Sequence, residues 1–153
     1  MEPYVHTVQY YETDRMGITH HSNYIRWMEE ARIDFLAQMG YPYRRMEQEG
    51  IFSPVRSVSC QYKKPCTFGD EIEIDVSVAA FNGVVLTIRY VMRRDGEILC
   101  EGVSEHVFVG RDGRLLRVKR DMPEFCADIE ALAEETRGPD AGATSRRSGG
   151  ETA

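Results

Sequence analysis

Between residues 10 and 24 the chain reads Tyr-Tyr-Glu-Thr-Asp-Arg-Met-Gly-Ile-Thr-His-His-Ser-Asn-Tyr, which gathers two carboxylates, a glycine and two adjacent histidines in one short stretch. A carboxylate can attack a carbonyl carbon or take a proton from water. Hydrolysis at a carbonyl also needs donors where negative charge develops on the oxygen. The first turn of a helix offers such donors, because its N–H groups lack intrahelical partners and carry partial positive charge. Asp14 is the candidate acid with Glu12 as its rival, and a helix expected to be capped by Ser22 or Asn23 supplies the N–H groups. His21 stands at that helix start, so its backbone N–H is the economical candidate for polarising a carbonyl, with its side chain as the alternative. His20 is expected to face solvent or hold structure. Gly17 either lets the backbone approach a bulky substrate or forms a turn. Tyr24 fits an apolar helical stripe, with core packing as its default role and substrate contact as its second.

Positioning these groups takes a strand before the loop and a helix after it. Tyr4 to Tyr11 alternates loosely and is rich in Tyr, Val and Thr, which predicts a strand. After the loop, Tyr24, Met28, Ala31, Phe35 and Met39 recur at steps of three and four, and Ile25, Trp27 and Leu36 widen the stripe. The pattern predicts a helix buried along much of its length, stopped by Gly40 and kept from resuming by Pro42. The remainder reads as sheet. Pro54 to Tyr62 is β-rich, and Glu71 to Val78 alternates strictly, with Ile72, Ile74, Val76 and Val78 on one face. Asn82-Gly83, Asp95-Gly96 and Asp112-Gly113 are turn signals that bound Val84 to Arg94 and Glu97 to Val109, predicting an antiparallel meander. Met122 to Glu135 predicts a closing helix with Phe125, Ile129 and Leu132 or Ala133 on one side. Residues 1–136 are expected to form a single domain, and 137–153, with almost no apolar content, a disordered polar tail. A helix apolar on most sides is satisfied if the sheet curls around it, an α+β arrangement. Such a sheet leaves edges in need of cover, which predicts a dimer joining two sheets.

The 153 residues carry a formal net charge of −6 with both signs interspersed, so nothing drives non-specific binding to nucleic acid or anionic membrane. Their 42% hydrophobic content is ordinary for a soluble globular domain. No apolar run approaches a membrane span, and the first residues lack the basic start and apolar stretch of a signal peptide, so a cytoplasmic location is expected. Cys60, Cys66, Cys100 and Cys126 are widely spaced without a C-x-x-C pair and are expected as reduced thiols. His6, His20, His21 and His106 form a metal site only if the fold gathers them. Neither a metal nor a cofactor is expected.

The segment V-Q-Y-Y-E-T-D-R-M-G-I-T-H-H-S-N-Y-I-R-W-M-E-E-A-R resembles the active-site signature of the 4-hydroxybenzoyl-CoA thioesterase and YbgC-like acyl-CoA thioesterase family of hotdog-fold proteins. The shared elements are the T-D pair, a glycine three residues on, a histidine or aromatic seven on and a tyrosine ten on. Q-Y-K-K-P-C-T-F-G-D-E-I-E-I resembles the family's junction between its second and third strands, so the likeness runs from about Tyr4 to about Pro123. The resemblance implies one long central helix wrapped by a curved antiparallel sheet of five to six strands, with a short C-terminal helix. It implies an acyl-CoA substrate and hydrolysis to free CoA and a carboxylic acid. Asp14 takes the position of the catalytic carboxylate, as nucleophile or general base. His21 takes that of the helix-start amide, Gly17 that of the loop glycine and Tyr24 that of an aromatic within the helix. A homodimer, paired into a tetramer, is expected. A dehydratase or hydratase on the same fold, or a non-catalytic acyl-CoA or acyl-carrier-protein binder, are the competing functions. Lys63 and Lys64 beside Pro65 are candidates for CoA phosphates but read first as solvated charges at a strand end, and stand outside the candidate site.

Overall fold

The computed structural model describes residues 1–137; the expected polar tail lies outside the described residues except for Arg137, the last residue of the closing helix. In chain order the elements are β1 (Tyr4–Thr7), a 3-10 turn (Tyr10–Glu12), α1 (Ser22–Gln38), α2 (Tyr43–Gln48), β2 (Val55–Tyr62), β3 (Glu71–Phe81), β4 (Leu86–Arg94), β5 (Glu97–His106), α3 (Val118–Asp121) and α4 (Pro123–Arg137). Five strands make one antiparallel sheet in the order β1-β3-β4-β5-β2. The fold is α+β, a hotdog: a long helix packed on a single antiparallel sheet. Among the described residues no helix is long and apolar enough to cross a membrane.

The alternation in β3 positions the layers. Ile72, Ile74 and Val78 are buried with Val76 half-buried, while Glu71, Glu73 and Asp75 face water. Both α1 and α4 contact β3, so they share its apolar face, and Trp27, Ala31, Phe35 and Leu36 of α1 join Phe125, Ile129 and Ala133 of α4 in one core. The opposite face of the sheet is charged and self-paired, with Arg89 at 3.0 Å and Lys63 at 2.9 Å from the two oxygens of Glu101. That face needs no cover. β2 does: it is exposed along nearly its whole length and pairs with β5 alone.

The turns behave as their residues dictate. Asp95 and Gly96 have φ of 50° and 80°, the two positive values a two-residue hairpin requires. At Asn82-Gly83 the loop is longer, because Asn82 Oδ1 accepts the N–H groups of Val84 and Val85 and delays β4 until Leu86. Gly40, at φ 92°, ends α1 as expected.

Several expectations are corrected. β1 stops at Thr7, and Tyr10 and Tyr11, 77% and 83% exposed, belong to a turn rather than a strand; the Glu12 carboxylate takes the Gln9 N–H and folds the chain back. Neither Ser22 nor Asn23 caps α1. His21 stands at the N-cap without a side-chain cap bond, and His20 just before it supports the first turn, its Nδ1 accepting the Ser22 N–H and its carbonyl the Asn23 N–H. Pro42 does not keep helix from resuming, since it sits at the cap of α2. β5 ends at His106 rather than Val109, which makes an isolated bridge to Phe52 instead. On α1, Ile25 is exposed and Arg32, unremarked in the apolar stripe, is buried.

Candidate active site

The loop from Thr13 to His21 is anchored on three sides. Thr13 and Thr19 bridge across it, and Ile18 bridges to Thr67. The Thr19 N–H donates to the Cys66 carbonyl at 2.8 Å, and the Thr67 hydroxyl to the Gly17 carbonyl at 2.7 Å. At its tip, Asp14 Oδ1 accepts the Met16 N–H at 2.8 Å, and the Gly17 N–H donates to the Asp14 carbonyl at 3.0 Å. This is the turn a short acidic side chain forms with its own backbone. Gly17 has φ 76°, with no atom within 4 Å of where a Cβ would stand. Its conformation, rather than lack of space, is what calls for glycine.

The two acids of the loop have different surroundings. Glu12 is 5% exposed, and its carboxylate receives the Gln9 N–H at 2.8 Å, His6 Nε2 at 2.7 Å and the Trp27 indole N–H at 2.6 Å. Burial alone would raise its pKa, but those three contacts outweigh it and hold the acid below the usual range. Its carbonyl also accepts the His20 N–H and the Asn23 side-chain amide. Asp14 is half-buried, and among the described residues its second oxygen has no hydrogen-bond partner.

Asp14, His21 and Tyr24 come together in the wall of one open cavity of about 340 Å³, alongside Tyr62, Lys63 and Lys64. Gly17 is not in that wall. His21 is exposed with a helical backbone, φ −57° and ψ −28°. Among the described residues its N–H meets no acceptor, while its carbonyl accepts the Tyr62 hydroxyl at 3.1 Å. Tyr24 is buried, its hydroxyl 3.3 Å from Cys66 Sγ, which in turn donates to the Thr19 hydroxyl. Burial and that cysteine contact push its pKa up, so the phenol stays protonated. Tyr24 is thus both core and cavity wall.

Tyr62, Lys63 and Lys64 were not among the expected site residues. β2 brings Tyr62 against α1, where its ring meets Tyr24 edge-on with centres 5.0 Å apart, and burial raises its pKa to about 12. The lysines pair with Glu101 and Glu97 at 2.9 and 3.0 Å. Their signal in the sequence was the paired charge before Pro65; what hid their place was the pairing of β2 with β5, which the sequence order does not announce.

The thioesterase-like superfamily model matches residues 8–133. A putative esterase of Aquifex aeolicus is 32% identical over 82% of this chain and 97% of its own length. A putative acyl-CoA thioesterase of Bacillus subtilis, YneP, is 31% identical over 77% of this chain and 87% of its own. The solved structure of a DHNA-CoA thioesterase from Staphylococcus aureus superposes with a TM-score of 0.83 at 25% identity, covering 94% of this chain and 96% of that one. The chain belongs to the thioesterase-like superfamily and is an enzyme of the thioesterase class.

Proposed function

We propose that the protein hydrolyses acyl-CoA thioesters in the Asp14 cavity, releasing CoA and a carboxylic acid. The observation that carries this is the spare oxygen of Asp14 in a cavity wall shared with the start of α1. The thioester carbonyl oxygen rests at the His21 N–H, where the unpaired amides of the first helical turn favour negative charge. Asp14 then works by one of two routes with the same geometry. As a base it takes a proton from water as the water oxygen bonds to the acyl carbon; as a nucleophile it forms an acyl–aspartyl anhydride that water cleaves. In both, the C–S bond breaks and the sulfur of CoA leaves to be protonated. Hydroxylamine trapping of an acyl-Asp14 species distinguishes them.

The working unit is proposed as a cytoplasmic homodimer joined along β2. That strand has a free edge and exposes Val55, Val58 and Tyr62, and Tyr62 already belongs to the cavity wall. Pairing there would place the second copy against the open site. Gly17 serves this site by shaping the loop, and Tyr24 by forming its floor.

The deciding experiment is thiol release from a panel of short, medium, long and aromatic acyl-CoAs. Cleavage of some members is expected; release from none would defeat the proposal. A fully active monomer by light scattering would separate the dimer from it.

A further inference from the structure

Arg32 is 3% exposed in the middle of α1. Among the described residues it has no carboxylate within ion-pair reach, and its Nη1 has no acceptor. The guanidinium lies 5.8 Å from the centre of the Tyr43 ring. That contact offsets only part of what it costs to take an unpaired cation out of water.

A second buried group stands in the same wall. His106 is 1% exposed and its Nδ1 also lacks a partner among the described residues. Tyr90 Oη is 2.8 Å from Ser104 Oγ, which is 2.6 Å from His106 Nε2. With protons donated from Tyr90 to Ser104 and from Ser104 to His106, the proton of the neutral imidazole sits on Nδ1. Burial, then the charge of Arg32, lowers the His106 pKa to about 3, which keeps the ring neutral. In that arrangement the pair presents N–H donors and one positive charge.

Arg32, Tyr90, Ser104 and His106 line a cavity of about 130 Å³ between α1 and β2. A cavity of roughly 150 Å³ can take up benzene, so this one has room for the end of an acyl group but not for a long chain. At its rim Arg26 and Glu29 are opposite in sign, and Ile25 and Val58 are apolar and exposed.

We propose that this cavity receives a carboxylate at the far end of the acyl group, so that the enzyme favours thioesters of dicarboxylic acids. The inference rests on the hydrolase reading above and names its substrate class. His21, Ile25, Met28 and Arg32 follow steps of four, three and four and so share a face of α1; His21 lines the Asp14 cavity and Arg32 this one. From residue 21 to residue 32 the helix rises about 16 Å. A saturated chain of roughly a dozen carbons, with bonds of about 1.5 Å, spans that distance. A carboxylate offers two oxygens to a guanidinium, the geometry in which arginine binds anions most strongly. Both donor atoms are shielded from bulk water, so wall side chains must shift on binding; Met28, whose thioether is flexible, is the wall residue best able to do so.

Two measurements test the proposal. The first compares dodecanoyl-CoA with the mono-CoA thioester of dodecanedioic acid. The dicarboxylic substrate is expected to have a kcat/KM about tenfold higher or more, carried by KM, and Arg32→Gln is expected to equalise the two. The second needs no turnover: benzoate is expected to raise the melting temperature of the full chain while benzyl alcohol does not. Ile25→Trp fills the rim from an exposed position on α1, away from the β2 edge, keeps its own melting temperature and is expected to lose the benzoate response, which covers failure of Arg32→Gln to fold. Equal kcat/KM for the two thioesters, equal responses to benzoate and benzyl alcohol, or a benzoate response that survives Ile25→Trp would each overturn the site. If no thioester is cleaved but benzoate still binds through this cavity, the hydrolase reading fails and the carboxylate site stands.

Discussion

Glu12 sends its carboxylate beneath α1 into three donors, whereas Asp14, two residues further along the same loop, accepts one backbone N–H and keeps an oxygen free beside a cavity. Their chemistry is the same and their surroundings divide the labour. A carboxylate whose acceptor sites are taken by His6, Gln9 and Trp27 fixes where the loop leaves the sheet and how it meets the helix. It has little left for a substrate. Asp14 is presented by that arrangement, since the Glu12 carbonyl holds His20 and Asn23 at the start of α1. On the proposed mechanism, the rigid acid is the support of the reactive one.

The sharpest way to break this contrast is Asp14→Asn, which keeps the shape and the contact to Met16 but removes the charge. The rate of acyl-CoA hydrolysis is expected to fall about 10²- to 10⁴-fold, with stability within about 0.5 kcal/mol of the parent. Wild-type turnover in that variant would take Asp14 out of the mechanism. His21→Pro attacks the other half of the proposed chemistry. Proline has φ near that of His21 and removes the N–H along with the imidazole, so a loss of about 10²- to 10³-fold is expected in a protein that still folds by circular dichroism.

On the structural side of the comparison, Glu12→Ala strands three donors in a buried site, and denaturant unfolding is expected to show a loss of about 3–5 kcal/mol. Glu12→Gln keeps one oxygen acceptor and is expected to lose about 1–3 kcal/mol, while the folded protein still cleaves thioester. If Glu12→Gln instead matched Asp14→Asn in lost activity at full stability, the two roles would be exchanged.

Acid sharpens the same distinction. The folded pKa of Glu12 lies below its unfolded value, so its contribution to stability is present above about pH 4.3 and is lost as pH falls through the folded value. His106 adds an earlier window: its pKa falls from an ordinary value of about 6.5 to about 3 on folding, so the unfolded chain binds the extra proton between those values. Stability is therefore expected to decline as pH drops below about 6.5, by an amount on the order of a few kcal/mol by pH 4. His106→Gln should flatten the first part of that decline and Glu12→Gln the second, both read from melting temperature against pH.

The legibility of these features in the sequence follows from how local their causes are. The Asp95-Gly96 hairpin, the strict alternation of β3 and the stop at Gly40 depend on residues adjacent in the chain, and all stand where expected. Glu12 does not announce its burial, because its partners His6 and Trp27 come from β1 and α1 and meet only once both pack. Arg32 was invisible for a similar reason: helical spacing puts it on a buried face, but a charge there is ordinarily assumed to turn outward. Tyr62 needed knowledge that β2 crosses to the β5 edge of the sheet. Asp14 was distinguished from Glu12 only by the likeness of the T-D-x-x-G loop to a family, since spacing alone left both acids open.

The smallest expected effect belongs to the side chain of His21. The imidazole is exposed, stacks on His20 with ring centres 4.2 Å apart and faces Tyr62 edge-on at 6.3 Å, yet it makes no hydrogen bond among the described residues that a smaller side chain would forfeit. Alanine retains the backbone N–H at the helix start and has higher helix propensity than histidine by a few tenths of a kcal/mol, up to about 0.7. His21→Ala is therefore expected to lower kcat by no more than about threefold, less than the loss of one oxyanion donor, with an unchanged or slightly raised melting temperature. Measured beside His21→Pro, it separates backbone from side chain at a single position. A well-folded His21→Ala protein as slow as Asp14→Asn would transfer the work to the imidazole, which would then have to act as acid or base next to Asp14, and the helix amide would lose its place as the group that bears the developing charge.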